Sequence, residues 1–161
     1  NWKKYHPILI GGGVGIAPIL NLHYHLNAMK INNTLIMGAR NKYEHFLKHS
    51  PKNRIYLTTD DGSYGISGNV LDAYNFINNK DKQKIFSCGP VSMMMGVRKM
   101  AIEKDIPCDL AIERIMACGF GICQGCTVER LSSLDEHSYR NRFALACIDG
   151  PIFSAKEIIS C

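Results

Sequence analysis

Short apolar runs alternate with segments of helical period over the first two thirds of the chain. "PILI" (7–10), "TLIMG" (34–38), "RIYLTTD" (54–60), "KIFSCG" (84–89) and "CDLAIE" (108–113) predict five strands. Between them, residues 18–30 set Ile19, Leu22, Leu26 and Met29 on one helical face. A short helix is expected around 43–49. Another carries Val70, Tyr74 and Ile77 on one face, its start marked by the Ser67, Gly68 and Asn69 triplet. Residues 90–104 align Met93, Val97 and Met100. This order predicts an α/β fold, a five-stranded parallel sheet with helices on both faces and right-handed crossovers. Ligands of such sheets sit beyond the carboxyl ends of the strands.

After residue 113 the long helical periods stop. The short extended runs "CTVERL", "RFALAC" and "KEIIS" predict a small, mostly β unit, and the polar stretch 132–142 a solvated hairpin or loop. The expected division is a nucleotide-binding domain over 1–110 and a second domain over 111–161.

Composition narrows the function classes. With 161 residues, 46% hydrophobic and 20% charged, the chain has the make-up of a soluble globular protein with a real core. The net charge of +5 is spread along the chain, with no basic stripe interleaved with aromatics, which argues against nucleic-acid binding. No apolar run approaches the roughly 18 residues of a membrane span, and no secretory signal opens the chain. A cytoplasmic protein is expected. There, seven cysteines favour metal binding over a disulfide framework.

The first strand runs into "GGGVGIAP". Glycines 11, 12, 13 and 15 allow close backbone approach to a diphosphate, and the following helix offers free N–H groups and a positive dipole end. The pattern departs from G-x-G-x-x-G, because Pro18 stands where the last glycine would fall; proline there suits a first helical position. A tight turn that binds nothing is the plain alternative. "SCGP" (87–90) repeats the arrangement at the fourth strand, where Cys88 is either a buried small hydrophobe or a cofactor contact. Asp60 and Asp61 in "TTDDGSYGISG" read as turn and capping chemistry rather than acid–base groups. His23 and His25, two residues apart, point to different helix faces and read as surface or half-buried residues. Arg40, at the end of the second strand, either meets a 2′-phosphate or is a solvated loop arginine.

Cys118-x4-Cys123-x2-Cys126, followed by Cys147, has the plant-type spacing of a [2Fe–2S] cluster. Glycines 119, 121 and 125 give the loop clearance to fold back and aim N–H groups at sulfur. Zinc is the competing occupant, although structural zinc sites usually build from two C-x2-C knuckles. Cys108 reads as core packing, Cys161 as an incidental thiol, and Glu113 with Arg114 as a structural ion pair.

A nicotinamide gives up two electrons together, whereas a [2Fe–2S] cluster takes one, so a flavin is needed between them. The chain begins at Asn1 rather than methionine and reaches an apolar run at Pro7. A flavin domain preceding Asn1 is therefore expected.

Together these motifs resemble the ferredoxin-reductase superfamily, whose G-x-G-I-A-P (Gly13, Gly15, Ile16, Ala17, Pro18) and C-G-P (Cys88, Gly89, Pro90) line a nicotinamide site. More narrowly, "GGGVGIAPIL", "TDDGSYGISGNVLDAY", "SCGPVSMMM", "ERIMACGFGICQGC" and "ACIDGPIF" are similar to the electron-transfer subunits of dihydroorotate dehydrogenase B. That resemblance implies electron flow from NADH through FAD and a [2Fe–2S] cluster to or from the FMN of a separate catalytic subunit, in a heterotetramer serving pyrimidine biosynthesis. It implies iron ligation by Cys118, Cys123, Cys126 and Cys147, and an N-terminal flavin-binding barrel. Related NAD(P)H–ferredoxin or sulfite reductase subunits, and a non-redox module with structural zinc, are the alternatives.

Overall fold

A computed structural model describes residues 4–77, 81–131 and 138–160. Strand β1 (His6–Gly12) is buried at every position, as a central strand covered on both faces must be. It leads through a 3-10 turn (Gly13–Gly15) into α1 (Ile16–Ala28). β2 (Thr34–Ala39), β3 (Ile55–Thr59) and the two-residue β4 (Ile66–Ser67) follow, then α2 (Val70–Asn75), β5 (Gln83–Cys88), α3 (Val91–Glu103) and β6 (Cys108–Ala111). The C-terminal third supplies β7 (Thr127–Arg130), the single helical turn α4 (Tyr139–Arg142), β8 (Phe143–Leu145), β9 (Ile152–Ser154) and β10 (Ile158–Ser160).

The main sheet has the order β4-β3-β2-β1-β5-β6-β9. All five predicted strands are present and parallel. Two short strands extend them, β4 in parallel at one edge and β9 antiparallel to β6 at the other. The second sheet, β10-β7-β8, is small and antiparallel. Because β9 lies between β8 and β10 in sequence, the C-terminal third contributes to both sheets.

Side-chain alternation along β1 and β2 divides the core. Leu9, Leu35 and Met37 face α1 with Ile16, Ile19 and Leu26. Ile8, Ile10 and Ile36 face the opposite side, with Val70 of α2 and Met94, Val97 and Ala101 of α3. That second core continues into Cys126, Val128, Ala144, Ala146, Phe153 and Ile158. The α3 stripe thus runs through Met94, Val97 and Ala101, with Met93 and Met100 at its margin.

Three expectations need correction. The helix around 43–49 is only a 3-10 turn, Lys42–Glu44. A helix that short cannot sustain its own nucleation, and tertiary bonds hold the segment extended instead. His45 Nε2 is 2.8 Å from the Thr58 carbonyl, and His49 N donates to the Tyr64 hydroxyl at 3.0 Å. His23 is buried rather than half-exposed, because Asn33 Oδ1 (2.7 Å) and Asn27 Nδ2 (3.0 Å) satisfy both ring nitrogens. Pro18 is the third residue of α1 rather than its first, still within the turn whose N–H groups lack intrahelical partners. Of the polar stretch 132–142, residues 132–137 lie outside the described residues, as does Cys161; α4 occupies the end of the stretch.

Candidate functional site

Strand order reverses at β1: β2 lies on one side of it and β5 on the other. Open α/β sheets have their crevice at such a switch point. A cleft of ≈ 570 Å³ opens there, and Gly12, Gly13, Arg40, Glu44, Asp60 and Pro90 are among its lining. Asn69, Ser92, Met93 and Gly96 also line it, from the start of α2 and the first turns of α3.

The two glycine turns at the base of the cleft interlock. A Cβ on Gly15 would lie 2.3 Å from the Cys88 carbonyl carbon and 2.4 Å from Gly89 N. A Cβ on Gly89, at φ +153, would lie 2.7 Å from Gly12 O. Of the predicted nucleotide residues, Gly13, Arg40 and Pro90 therefore reach the cleft wall, while Gly15, Cys88 and Gly89 hold the turns together beneath it. Ile16 is buried behind them; Ala17 and Pro18 are exposed on the first turn of α1. The Cys88 thiol packs into the α1-side core, and burial, with the Glu113 carboxylate, pushes its pKa up.

Helix capping sets α2 apart from α1 and α3. α2 carries a full capping box, Asn69 Oδ1 accepting from Leu71 N at 2.8 Å and Asp72 Oδ2 from Asn69 N at 2.8 Å. α1 and α3 have no side-chain cap and no acidic residue in their first turns. The positive dipole end of α3, uncapped by any side chain, suits an anionic ligand, whereas at α1 the Ile16 N–H already donates to the Gly13 carbonyl.

At the far end of the cleft, Glu44 folds back on Arg40. Its Oε1 accepts from Arg40 Nε at 2.8 Å and lies 2.7 Å from Nη2, while Oε2 accepts from Arg40 N at 3.2 Å. The guanidinium and backbone N–H lower the Glu44 pKa. Arg40 is thus an exposed arginine paired with Glu44. Asp61 Oδ1 accepts from Ser63 N at 2.9 Å, the turn chemistry expected of it, whereas Asp60 lines the cleft.

β6 ends beside β5, Cys88 pairing in register with Ala111, and the chain then passes Glu113 to reach the cysteine loop. The loop bends through positive φ at Gly119, Gly121 and Gln124. Only Gly121 also lacks room, since its Cβ would lie 2.9 Å from the Ile148 side chain. Gly125 has ordinary φ and donates its N–H to Cys123 Sγ at 3.4 Å. Cys123 N likewise donates to Cys118 Sγ at 3.4 Å. Amides of Cys123, then Phe120, lower the Cys118 thiol to about 6. Cys126 and Cys147 face one another, Sγ to Sγ 3.2 Å, which raises the pKa of Cys147.

Cys126 and Cys147 thus form one sulfur pair, and Cys118 is tied to Cys123 through the Cys123 N–H. Among the described residues no three of them converge as ligands on one metal ion. A tetrahedral zinc needs four donors around one point, whereas two bridged irons take two thiolates each. Amide N–H groups directed at Cys118 Sγ favour its anionic form. The residues present fit a two-iron cluster better than a single ion. Cys108 stands apart at the start of β6, its thiol pushed up to about 12 by burial. Among the described residues no ion pair joins Glu113 to Arg114; Glu113 is exposed, and Arg114 Nε is buried without a hydrogen-bond partner.

Sequence reasoning missed Glu44, Asn69, Ser92, Met93 and Gly96. The available signal was position: each sits just past the end of a parallel strand or at the start of the following helix.

Comparison with known proteins follows the same division. Residues 9–99 match the oxidoreductase NAD-binding domain family. Residues 113–159 match the iron–sulfur cluster binding domain of dihydroorotate dehydrogenase B. The chain is 34% identical over 162 residues to the dihydroorotate dehydrogenase B (NAD(+)) electron transfer subunit of Streptococcus mutans, covering 98% of this chain and 59% of that protein. It is 30% identical over 161 residues to the Fusobacterium nucleatum subunit of the same name, covering 97% and 58%. It therefore spans somewhat more than half the length of these relatives. A chain from a solved structure of an NADH-dependent reduced ferredoxin-NADP oxidoreductase, described in the context of flavin-based electron bifurcation, superposes with a TM-score of 0.77. It has 28% identity and covers 98% of this chain and 55% of that one.

Proposed function

The chain belongs to the oxidoreductase NAD-binding domain family, and from that premise we propose that it is the NAD-binding and iron–sulfur part of a dihydroorotate dehydrogenase B electron-transfer subunit. NAD(H) would bind in the cleft at β1 and β5, held by the Gly13 turn and the N-terminal end of α3. Arg40 stands at the adenosine end, and the interlocked Gly15 and Gly89 turns fix the height of the phosphate floor. Cys118, Cys123, Cys126 and Cys147 would hold a [2Fe–2S] cluster. When bound, the cluster supplies one-electron transfer, and FAD in the whole protein supplies the conversion from the two-electron nicotinamide. The partner is an FMN-containing catalytic subunit in a heterotetramer, acting in pyrimidine biosynthesis in the cytoplasm. Units over 1–110 and 111–161 serve the dinucleotide and the cluster respectively, with β9 tying the second to the first. Among the described residues no helix is long and apolar enough to cross a membrane.

The observation that carries this reading is the cysteine loop, in which Cys126 and Cys147 meet Sγ to Sγ and backbone N–H groups donate to Cys118 and Cys123 sulfur, on a chain that also carries the glycine-turn cleft. The test is anaerobic purification with iron, sulfide and zinc analysis, followed by co-expression with an FMN-containing dihydroorotate oxidase. Iron, sulfide and co-elution support it. Zinc alone sinks the redox reading, and iron without co-elution moves the assignment to a related reductase. That second reading, an NAD(P)H–ferredoxin oxidoreductase subunit, is favoured by the superposition with the ferredoxin-NADP oxidoreductase chain.

A further inference from the structure

The adenosine end of the cleft holds a built feature that the reading above leaves without a role. β2 ends at Ala39, and Asn41 Oδ1 caps the 3-10 turn by accepting from Tyr43 N at 3.0 Å. This turn returns the Glu44 carboxylate to Arg40. The side chain of Arg40 is 83% exposed and that of Glu44 only 32%, so the carboxylate is the seated partner and the guanidinium is drawn to it. Three Arg40 donors, Nε, Nη2 and the backbone N–H, are committed to one carboxylate.

Both residues line the cleft, one strand over from the glycine turn, where a dinucleotide whose diphosphate rests on that turn places its adenosine ribose. In open α/β sheets an acidic residue near this place accepts from the ribose 2′-hydroxyl, whereas an arginine accommodates a 2′-phosphate. Here both side chains are present and engaged with each other. Asp60, from the end of β3, adds a second carboxylate to the same wall. Two carboxylates against one guanidinium leave a net negative field facing a phosphomonoester, which carries about −1.5 to −2.

We propose that Glu44 sets dinucleotide selectivity: by holding Arg40 it withholds the guanidinium from a 2′-phosphate and keeps the cleft selective for the unphosphorylated ribose. The proposal rests on the reading of the cleft as a dinucleotide site. Glu44 acts through Arg40, as a positioning residue, and also contributes its own charge to the repulsion.

The experiment measures dissociation constants of the purified chain for NAD+ and NADP+, which differ only in the 2′-phosphate, by isothermal titration calorimetry. Wild type is expected to prefer NAD+. Glu44→Gln keeps an acceptor oxygen for Arg40 N, so the turn survives, but removes the charge that holds the guanidinium. The NADP+ to NAD+ dissociation-constant ratio should fall about tenfold, the scale of a charge-assisted contact discounted for exposure. The double variant Glu44→Gln/Arg40→Ala should lose that gain, and 0.5 M salt should shrink it, because the new contact is an exposed ion pair. An unchanged ratio in Glu44→Gln overturns the proposal, as does a gain that persists without Arg40. If wild type binds neither dinucleotide, the reading of the cleft falls, and the proposal with it.

Discussion

Gly15 lies against the backbone of Cys88 so closely that a Cβ on it would fall 2.3 Å from the Cys88 carbonyl carbon and 2.4 Å from its oxygen. The β1 turn and the β5 turn can meet only because that position has no side chain. Gly15→Ala must drive the turns apart. We expect a loss of about 1–3 kcal/mol, the usual cost of overpacking. It reads as a fall in melting temperature of roughly 2–4 °C per kcal/mol at this size. Gly125→Ala is the control: its Cβ would make only an ordinary 3.6 Å contact with Cys123 Sγ. A Gly15→Ala protein as stable as Gly125→Ala would show that the turns do not interlock.

The same pair shows how far the residues could be read before the fold was known. Alternating apolar runs foretold the parallel sheet, because period-2 burial at Leu9 against Ile8 and Ile10 is a local property of the chain. The glycines of "GGGVG" were legible as a turn that lets the backbone approach a phosphate closely. That Gly15 also packs against the Cys88 turn was not, since the two meet only after β1 and β5 pair. Glu44 was hidden for a related reason. Its period suggested a helix, and only hydrogen bonds to β3, such as His45 to Thr58, stop that helix and turn the carboxylate toward Arg40. The cysteine spacing was the most legible feature, because all but Cys147 lie on one loop.

Serine at Cys118, Cys123, Cys126 or Cys147 should each lower iron content to less than half of wild type, read as iron per protein and visible absorbance. Cys108→Ala should leave iron unchanged. Its thiol is buried in β6 and pushed up to about 12, so it should also resist alkylation until the protein unfolds. Loss of iron in Cys108→Ala without loss of the fold would refute the ligand assignment.

His6 gives the chain a pH dependence of definite sign. Its ring is buried, 2.8 Å from Thr34 Oγ1, and burial first, then the Arg54 charge, lowers its pKa, with Asp81 opposing. The unfolded chain then binds a proton near pH 6.5 that the folded chain still refuses. The His6 contribution to stability should be constant above that pH and fall as pH drops from about 6.5 toward the folded value. Urea unfolding between pH 7.5 and 5 should show the slope, and His6→Gln should reduce it below pH 6.5. An equal slope in the variant would assign the effect elsewhere.

Removal of iron should loosen the loop without unfolding the sheets. Val128, Ala144, Ala146 and Ile158 are buried in the core that contains Met94, Val97 and Ala101 of α3, and Arg98 Nε donates to the Ile158 carbonyl at 2.8 Å. None of these contacts depends on a metal. By contrast, Ile115, Met116, Phe120 and Ile122 are exposed, so little apolar packing holds 115–125 apart from what its cysteines bind. Metal sites without such packing tie their binding free energy directly to local folding. Hydrogen exchange before and after chelation should therefore show protection lost over 115–125 and kept in β1, β2, β5 and β7. Loss of protection in β7 together with the loop would mean that the small sheet folds only around its cluster, and that the contacts from α3 are too weak to hold it.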